Sequence, residues 1–469
     1  MPAHQEEPRP QRRERPDLKP SGPEIGKVGR KWTAAVLVAA AVVAGTAIRA
    51  LVLRELAPDS LFGDEADYLR RGVQLARGGG LEGIDRAPGY VFFLAAMAKL
   101  SSAPLDAARW GQIALGAVSA VLVFFLARPA APARSAVLAT WIFALCPTFI
   151  GFSQLLFVET LYTCLLLAVT LALLRAWEAR SLGATVLAGL LLGASALVKP
   201  LSLPLAVVFA GCWLLRERPR PAALRAALFL AAFALVIFPY TWRNHARYGG
   251  WVLIDTSASR TLWHANHILY RPGFDWGIKG RGAHTDGSEF PAAGPDPVKE
   301  HQELLRRELG FVLAHPGLVV ARIPEKMGAF WNPTSFVQRA LARDAVPGLP
   351  RESEGALAAS LLITGYYGAV LFLGIVGLLG ARGSPLRTSF LAMLATFTLV
   401  HAIMVCQSRY RLPLMPFFAI FAAQALLHRS GRLTRRSWHT WTAVALVGAI
   451  LVLWWPYLPF VLMERLEAW

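Results

Sequence analysis

Apolar runs of nearly bilayer-spanning length recur along this chain, and they constrain its fold more than any other feature. Eleven stretches qualify, roughly 32–53, 107–127, 135–152, 156–175, 183–198, 201–215, 222–241, 357–380, 388–406, 411–427 and 439–459. A helix needs about 20 largely apolar residues to cross the hydrocarbon, and several of these stretches lie near the lower limit. An all-α polytopic membrane protein with about 11 transmembrane helices follows. The first stretch, Trp32 to Leu53, has no clean small-residue cleavage site after it, so it reads as a retained helix instead of a removed signal.

Arginine sets the orientation. The short turns "RPAAPAR", "RAWEAR", "RERPRPAALR", "ARGSPLR" and "HRSGRLTRR" fall on one side if the Pro-, Arg- and Glu-rich tail 1–31 is cytoplasmic and disordered, as the positive-inside rule expects. The organisation is then a tail (1–31), a transmembrane module (32–241) with a first external loop (54–106), a large extracytoplasmic loop (242–356), and C-terminal helices (357–469). Within the first loop, "RAPGYVFFLAAMAKL" is too short to span and reads as interfacial or re-entrant. This places the chain in the plasma or inner membrane.

Composition narrows the functions. A mean hydropathy of +0.44 with 17% charged residues argues against a soluble enzyme. The net charge of +18 is scattered between hydrophobic blocks without a basic, aromatic-interleaved face, so nucleic acid is not expected as a partner. The four cysteines sit inside apolar runs without CxxC spacing and read as small packing residues.

The ionisable residues near the membrane are therefore the informative ones. "LFGDEADYLRRG" places Asp64, Glu65 and Asp67 within one helical turn, about ten residues past the first span. Ala66, Leu69, Val73 and Ala76 recur at helical spacing, so this segment can lie along the membrane with its acidic end toward a headgroup-level cavity. Two readings of Asp64 stand: a reactive carboxylate, or an N-cap satisfying the first backbone N–H groups of the helix. Lys199 interrupts an apolar run at Pro200, either as a functional cation or as a snorkelling boundary residue. Glu159 enters the fourth span as a site residue or a neutral, hydrogen-bonded core acid. Arg409 and Arg411 fill a very short external turn against the positive-inside rule, and guanidinium forks suit phosphate oxygens.

An acid able to deprotonate an acceptor hydroxyl, with cations to stabilise a departing lipid phosphate, fits glycosyl transfer from a lipid-linked sugar. The Walker and Rossmann glycine patterns are absent. The competing class is a transporter or flippase of lipid-linked sugars, for which internal repeats with paired broken helices are expected and are not seen here.

The order "GDEADY", "DRAPGY", "FVET", "LVKP", "FPYTWRNHARYGGWVLIDTSASRTLWHANH", "SRYRLPLMP" resembles membrane glycosyltransferases of the GT-C class, nearest to glycosyltransferase family 39. That family includes protein O-mannosyltransferases and the aminoarabinose transferase acting on lipid A. The resemblance implies a polyprenyl-phosphate-sugar donor, inversion, an extracytoplasmic protein, lipid or glycan acceptor, and Asp64 as catalytic carboxylate with Glu65 beside it. It implies donor-phosphate contacts from Arg86, Lys199, Arg409 and Arg411. It further implies Asp85, Tyr90, Glu159, Trp263 and Asn266 as pocket residues. No cofactor is required by it; a divalent metal is the open option, with Asp85, His264 and His267 as ligands. Ala87-Pro88 departs from the paired prolines of many relatives. Trp242, Trp263 and Tyr270 are either sugar-stacking rings or interfacial anchors.

Overall fold

A computed structural model describes residues 25–57, 61, 64–266, 296–342, 344–381 and 383–427, with isolated positions between 442 and 449. The described residues form helices and no strand: α1 (Ile25–Leu56), α2 (Glu65–Ala76), α3 (Pro88–Leu100), α4 (Pro104–Ala127), α5 (Ala133–Ala144), α6 (Pro147–Phe152), α7 (Glu159–Glu178), α8 (Leu182–Val198) and α9 (Ser202–Arg216). They continue as α10 (Pro219–Tyr248), α11 (Ser257–Asn266), α12 (Pro297–Ala314), α13 (Pro316–Ala321), α14 (Ile323–Phe330), α15 (Phe336–Ala342), α16 (Glu354–Gly380) and α17 (Pro385–Ile403). A 3-10 helix (Ser408–Leu414) then leads into α18 (Met415–Leu427).

Among the described residues, seven helical segments are long and apolar enough to cross a membrane: Trp32–Leu56, Pro104–Ala127, Glu159–Glu178, Pro219–Tyr248, Glu354–Gly380, Pro385–Ile403 and Ser408–Leu427. The chain is thus multi-pass. α8 and α9 coincide with expected spans but have only 17 and 15 residues. The span expected over 135–152 is divided into α5 and α6, because Pro147 holds Cys146 extended. The last expected span, 439–459, falls largely outside the described residues.

Sequence signals explain many helix ends. Proline, whose missing N–H costs nothing in the first turn, opens α3, α4, α6, α10, α12 and α17. Ser181 and Ser353 cap α8 and α16 by accepting from Ala184 and Ala356. α8 stops at Lys199, which is extended (φ −147°, ψ 116°) ahead of Pro200. A kink in the chain therefore delivers the lysine.

Three tertiary contacts position the site. A Cβ on Gly72 would come within 2.6 Å of Leu94 Cβ, so α2 and α3 pack at a distance only glycine permits. Gly89 does the same between the start of α3 and the end of α8, where a Cβ would lie 2.8 Å from the Leu197 carbonyl oxygen. Arg86, just ahead of α3, is thereby brought toward Lys199, just after α8. Thirdly, the buried Arg49 Nη1 donates to the carbonyls of Gly45 (2.9 Å) and Ala144 (2.8 Å), tying α1 to α5 where water is excluded.

Candidate active site

The start of α2, the turn before α3, the start of α7, the end of α8 and the 3-10 helix converge at one end of the bundle. Asp64 occupies the N-cap position of α2 but makes no side-chain cap hydrogen bond. Its Oδ1 accepts from Arg86 Nη2 at 2.7 Å, and its Oδ2 lies 3.5 Å from Arg409 Nη2. The capping alternative is therefore not realised. Glu65 instead turns inward: it is 1% exposed, and its Oε1 accepts from the Leu156 backbone N–H at 2.6 Å.

Asp67 accepts hydrogen bonds from Arg70 (2.8 Å), Arg71 (3.0 Å) and Arg86 (2.9 Å). Burial alone would raise its carboxyl, yet these arginines hold it below the ordinary aspartate value. Arg71 also donates to both carboxylate oxygens of Asp85, at 3.0 and 2.9 Å. Arg86 sits 4.9 Å above the Tyr68 ring. Burial would lower its guanidinium, but Tyr68, Asp64 and Asp67 raise it above the usual arginine value, so its charge is secure.

Deeper in, Glu159 Oε1 lies 3.5 Å from Lys199 Nζ and 3.8 Å from Arg409 Nε. Lys199 Nζ lies 4.1 Å from the Tyr410 ring centroid, and the Arg409 guanidinium 4.7 Å from that of Phe157. Aromatic faces favour cations without using up their N–H donors. Glu159 Oε2, Lys199 Nζ and Arg409 Nε are buried without a hydrogen-bond partner among the described residues. Buried polar groups are normally paired, so these three atoms retain hydrogen-bonding capacity that a polar ligand can use.

The structure thus brings together Asp64, Arg86, Glu159, Lys199 and Arg409. Arg411 does not join them: it is buried, donates to the Phe330 carbonyl at 3.0 Å and lies 4.0 Å from the Tyr367 ring centroid. Tyr90 is buried and donates to Gln112 Oε1 at 3.2 Å. Trp263 is also buried, while Trp242 is exposed beside Phe238 and Trp251. Asn266 donates to the Leu262 and Ile403 carbonyls and accepts from Lys326 Nζ at 2.9 Å. Tyr270 lies outside the described residues.

The residues proposed for a metal do not form a donor set. Asp85 is bidentate to Arg71, His267 lies outside the described residues, and no cluster of three or more His, Cys, Asp or Glu suited to a metal occurs among those described. Burial, with help from Arg260, pushes His264 down to about 4.

Sequence reasoning named Asp67 without a role and missed several other participants. Tyr68 stands inside the quoted "GDEADY", and Tyr410 between the two arginines, so their motifs marked the place without marking the role. Arg71 was visible as an i,i+4 partner of Asp67. Phe336, 5.1 Å from the Arg409 guanidinium, had no local signal at all.

The architecture is that of the GT-C membrane glycosyltransferases. It is similar to the archaeal oligosaccharyltransferase AglB from Archaeoglobus fulgidus, solved with an inhibitory peptide and a dolichol-phosphate (TM-score 0.53, 16% identity, 91% of this chain, 55% of that one). ArnT from Cupriavidus metallidurans, bound to undecaprenyl phosphate, compares similarly (TM-score 0.51, 15% identity, 91% of this chain, 64% of that one). The chain spans between half and two thirds of the length of those structures. In sequence, residues 85–242 match the family described as dolichyl-phosphate-mannose-protein mannosyltransferase, which substantiates the resemblance to glycosyltransferase family 39. No curated protein matches the chain.

Proposed function

We propose that this protein transfers a sugar from a polyprenyl-phosphate donor to an extracytoplasmic acceptor, with inversion at the anomeric carbon. Asp64 takes the proton of the acceptor hydroxyl as its oxygen bonds to the anomeric carbon, and the bond from that carbon to the phosphate oxygen breaks. Lys199 and Arg409 hold the phosphate as it departs, and Arg86 keeps Asp64 in position. The observation carrying this reading is the Asp64 carboxylate, uncommitted to its own helix and bridging Arg86 and Arg409, next to cationic nitrogens that have ion pairs to Glu159 but no hydrogen-bond partner among the described residues.

Geometry supports an anionic donor: Lys199 Nζ and Arg409 Nε lie beside Glu159 without a hydrogen-bond partner among the described residues, and both can donate to a phosphate oxygen. Polyprenyl phosphates are the bound lipids of AglB and ArnT, and the family matched over 85–242 is described by a dolichyl-phosphate-linked sugar.

The test is donor consumption in detergent, where no two sides exist to move a lipid between. Purified protein should release polyprenyl phosphate from a polyprenyl-phosphate sugar when cell envelope is added as acceptor source, and Asp64→Asn should not. Donor that is bound but never consumed would turn the assignment toward transport.

A further inference from the structure

The seven-residue connection (250–256) between Gly249 and α11 is fixed more firmly than a passive loop requires. Asn244 Nδ2 donates to the carbonyls of Val252 (3.1 Å) and Ile254 (3.0 Å), and Thr241 Oγ1 to that of Leu253 (2.7 Å). Thr256 donates twice to the Ile84 carbonyl, from N at 2.8 Å and from Oγ1 at 3.3 Å. Ile84, Val252 and Val298 bury one another beneath it, with Tyr248 alongside. This stitching clips the connection onto the turn that carries Asp85 and Arg86.

Asp255 is the residue so placed, and the catalytic reading above does not use it. Its Oδ1 accepts from Ser257 N (3.1 Å) and Ser257 Oγ (2.7 Å). Among the described residues Ser257 is its only hydrogen-bond partner, which leaves Oδ2 uncommitted. The Thr256 bonds to Ile84 set Asp255 beside the turn that carries Asp85 and Arg86. Tyr240, on the last turns of α10, directly precedes Thr241, which holds Leu253, and its hydroxyl makes no hydrogen bond among the described residues. Burial pushes the Asp255 carboxyl up to about 6, against the Ser257 bonds, with Asp85 adding to the rise and Arg86 opposing it.

Position along the site suggests the use. Arg409 approaches one oxygen of Asp64, whereas Arg86 pairs with the other, and the turn that carries Arg86 is the one to which Thr256, next to Asp255, is bonded. In an inverting displacement the nucleophile enters opposite the leaving group, so the acceptor belongs on the side of the base away from the phosphate cations. We propose that Asp255 and Tyr240 form an acceptor-side subsite, an accepting carboxylate and a phenol able to donate or accept, that holds hydroxyl groups of the incoming acceptor. This subsite rests on the transferase reading. Hydroxyls of the donor sugar have the same chemistry, so the experiment separates the two sources.

Full-length protein in detergent is assayed with a labelled polyprenyl-phosphate hexose and with envelope from cells lacking the protein as acceptor source, while affinity for bare polyprenyl phosphate and for the labelled donor is measured in parallel. Asp255→Asn keeps an oxygen for Ser257, and Tyr240→Phe keeps the ring. Each should raise the amount of envelope needed for half-maximal transfer at least fivefold, with both lipid affinities unchanged. The subsite is overturned by an unchanged envelope requirement, or by loss of affinity for the sugar-bearing lipid, which would assign the pair to the donor. Retained affinity for bare polyprenyl phosphate confirms that each variant is folded. Wild-type protein that does not bind bare polyprenyl phosphate would refute the transferase reading itself, and the subsite with it.

Discussion

Replacing Asp64 by asparagine separates chemistry from binding. Asparagine keeps an oxygen to accept from Arg86 Nη2, now at 2.7 Å from Oδ1, but it cannot take a proton. Loss of a general base costs about 10²- to 10⁴-fold in rate, or roughly 3 to 5.5 kcal/mol at 1.36 kcal/mol per tenfold. Binding should move the other way. Arg409 lies 3.5 Å from the lost charge; an effective dielectric of about 20 sets an upper bound near ~5 kcal/mol for that attraction. The Asp64 side chain is 35% exposed, so solvent screening reduces the bound to the order of 1 kcal/mol. Relieved of this competitor, Arg409 should hold a lipid phosphate as tightly as before or up to about fivefold more tightly. Single-turnover transfer and equilibrium binding of polyprenyl phosphate, measured on one preparation, check both halves. Turnover within tenfold of wild type would remove Asp64 from the mechanism, and donor affinity falling in step with rate would make it a structural residue.

Lys199→Met should weaken polyprenyl phosphate binding by about tenfold or more, since a charge-assisted contact contributes about 1.5–3 kcal/mol. It should also lower thermal stability by depriving the buried Glu159 of a partner 3.5 Å away, and adding Glu159→Gln should restore part of that stability while affinity stays low. Glu65→Ala leaves the Leu156 N–H buried and unpaired at a cost of about 1–3 kcal/mol; thermal midpoints should fall more than for Glu65→Gln, and a drop in turnover without that ordering would mark Glu65 as chemical. Asp255, with a folded value of about 6 above the ordinary 3.8, binds more protons folded than unfolded, so its burial opposes folding fully above pH 6 and ceases to do so below about pH 4. Asp255→Asn should therefore raise the thermal midpoint at pH 8 relative to wild type, with the advantage vanishing toward pH 4; an advantage confined to acidic pH would contradict the sign.

Those outcomes depend on details the sequence carried unevenly. Crossing helices were legible because apolar length is a local property, and α1, α4, α7, α10, α16 and α17 lie where that length put them. The proline at 200 announced the break that exposes Lys199, but Pro147, inside an equally apolar run, passed as part of one span. Arg409 and Arg411 look equivalent two residues apart. A 3-10 helix has about three residues per turn, so the two side chains leave in different directions, one into the acidic cluster and the other onto Tyr367. The N-cap ambiguity at Asp64 could not be resolved from sequence either, because an aspartate before a helix has the same neighbours whether it bonds its own backbone or an arginine 22 residues away.

The three carboxylates that open α2 show how neighbouring acids of the same intrinsic strength become different groups. Successive helical residues are turned by about 100°, so Glu65 cannot face where Asp64 faces, and it spends an oxygen on a buried backbone N–H in the loop before α7. Asp67 returns to the cationic side but meets three arginines at 2.8–3.0 Å, and a carboxylate so heavily hydrogen-bonded is a poor proton acceptor. Asp64 has one short bond and one 3.5 Å ion pair, and the latter is to Arg409, which also faces Glu159. Of the three, it alone shares a cation with the Glu159 cluster. The proposal of Asp64 as base therefore rests on what its neighbours have already committed, an argument separate from any family pattern.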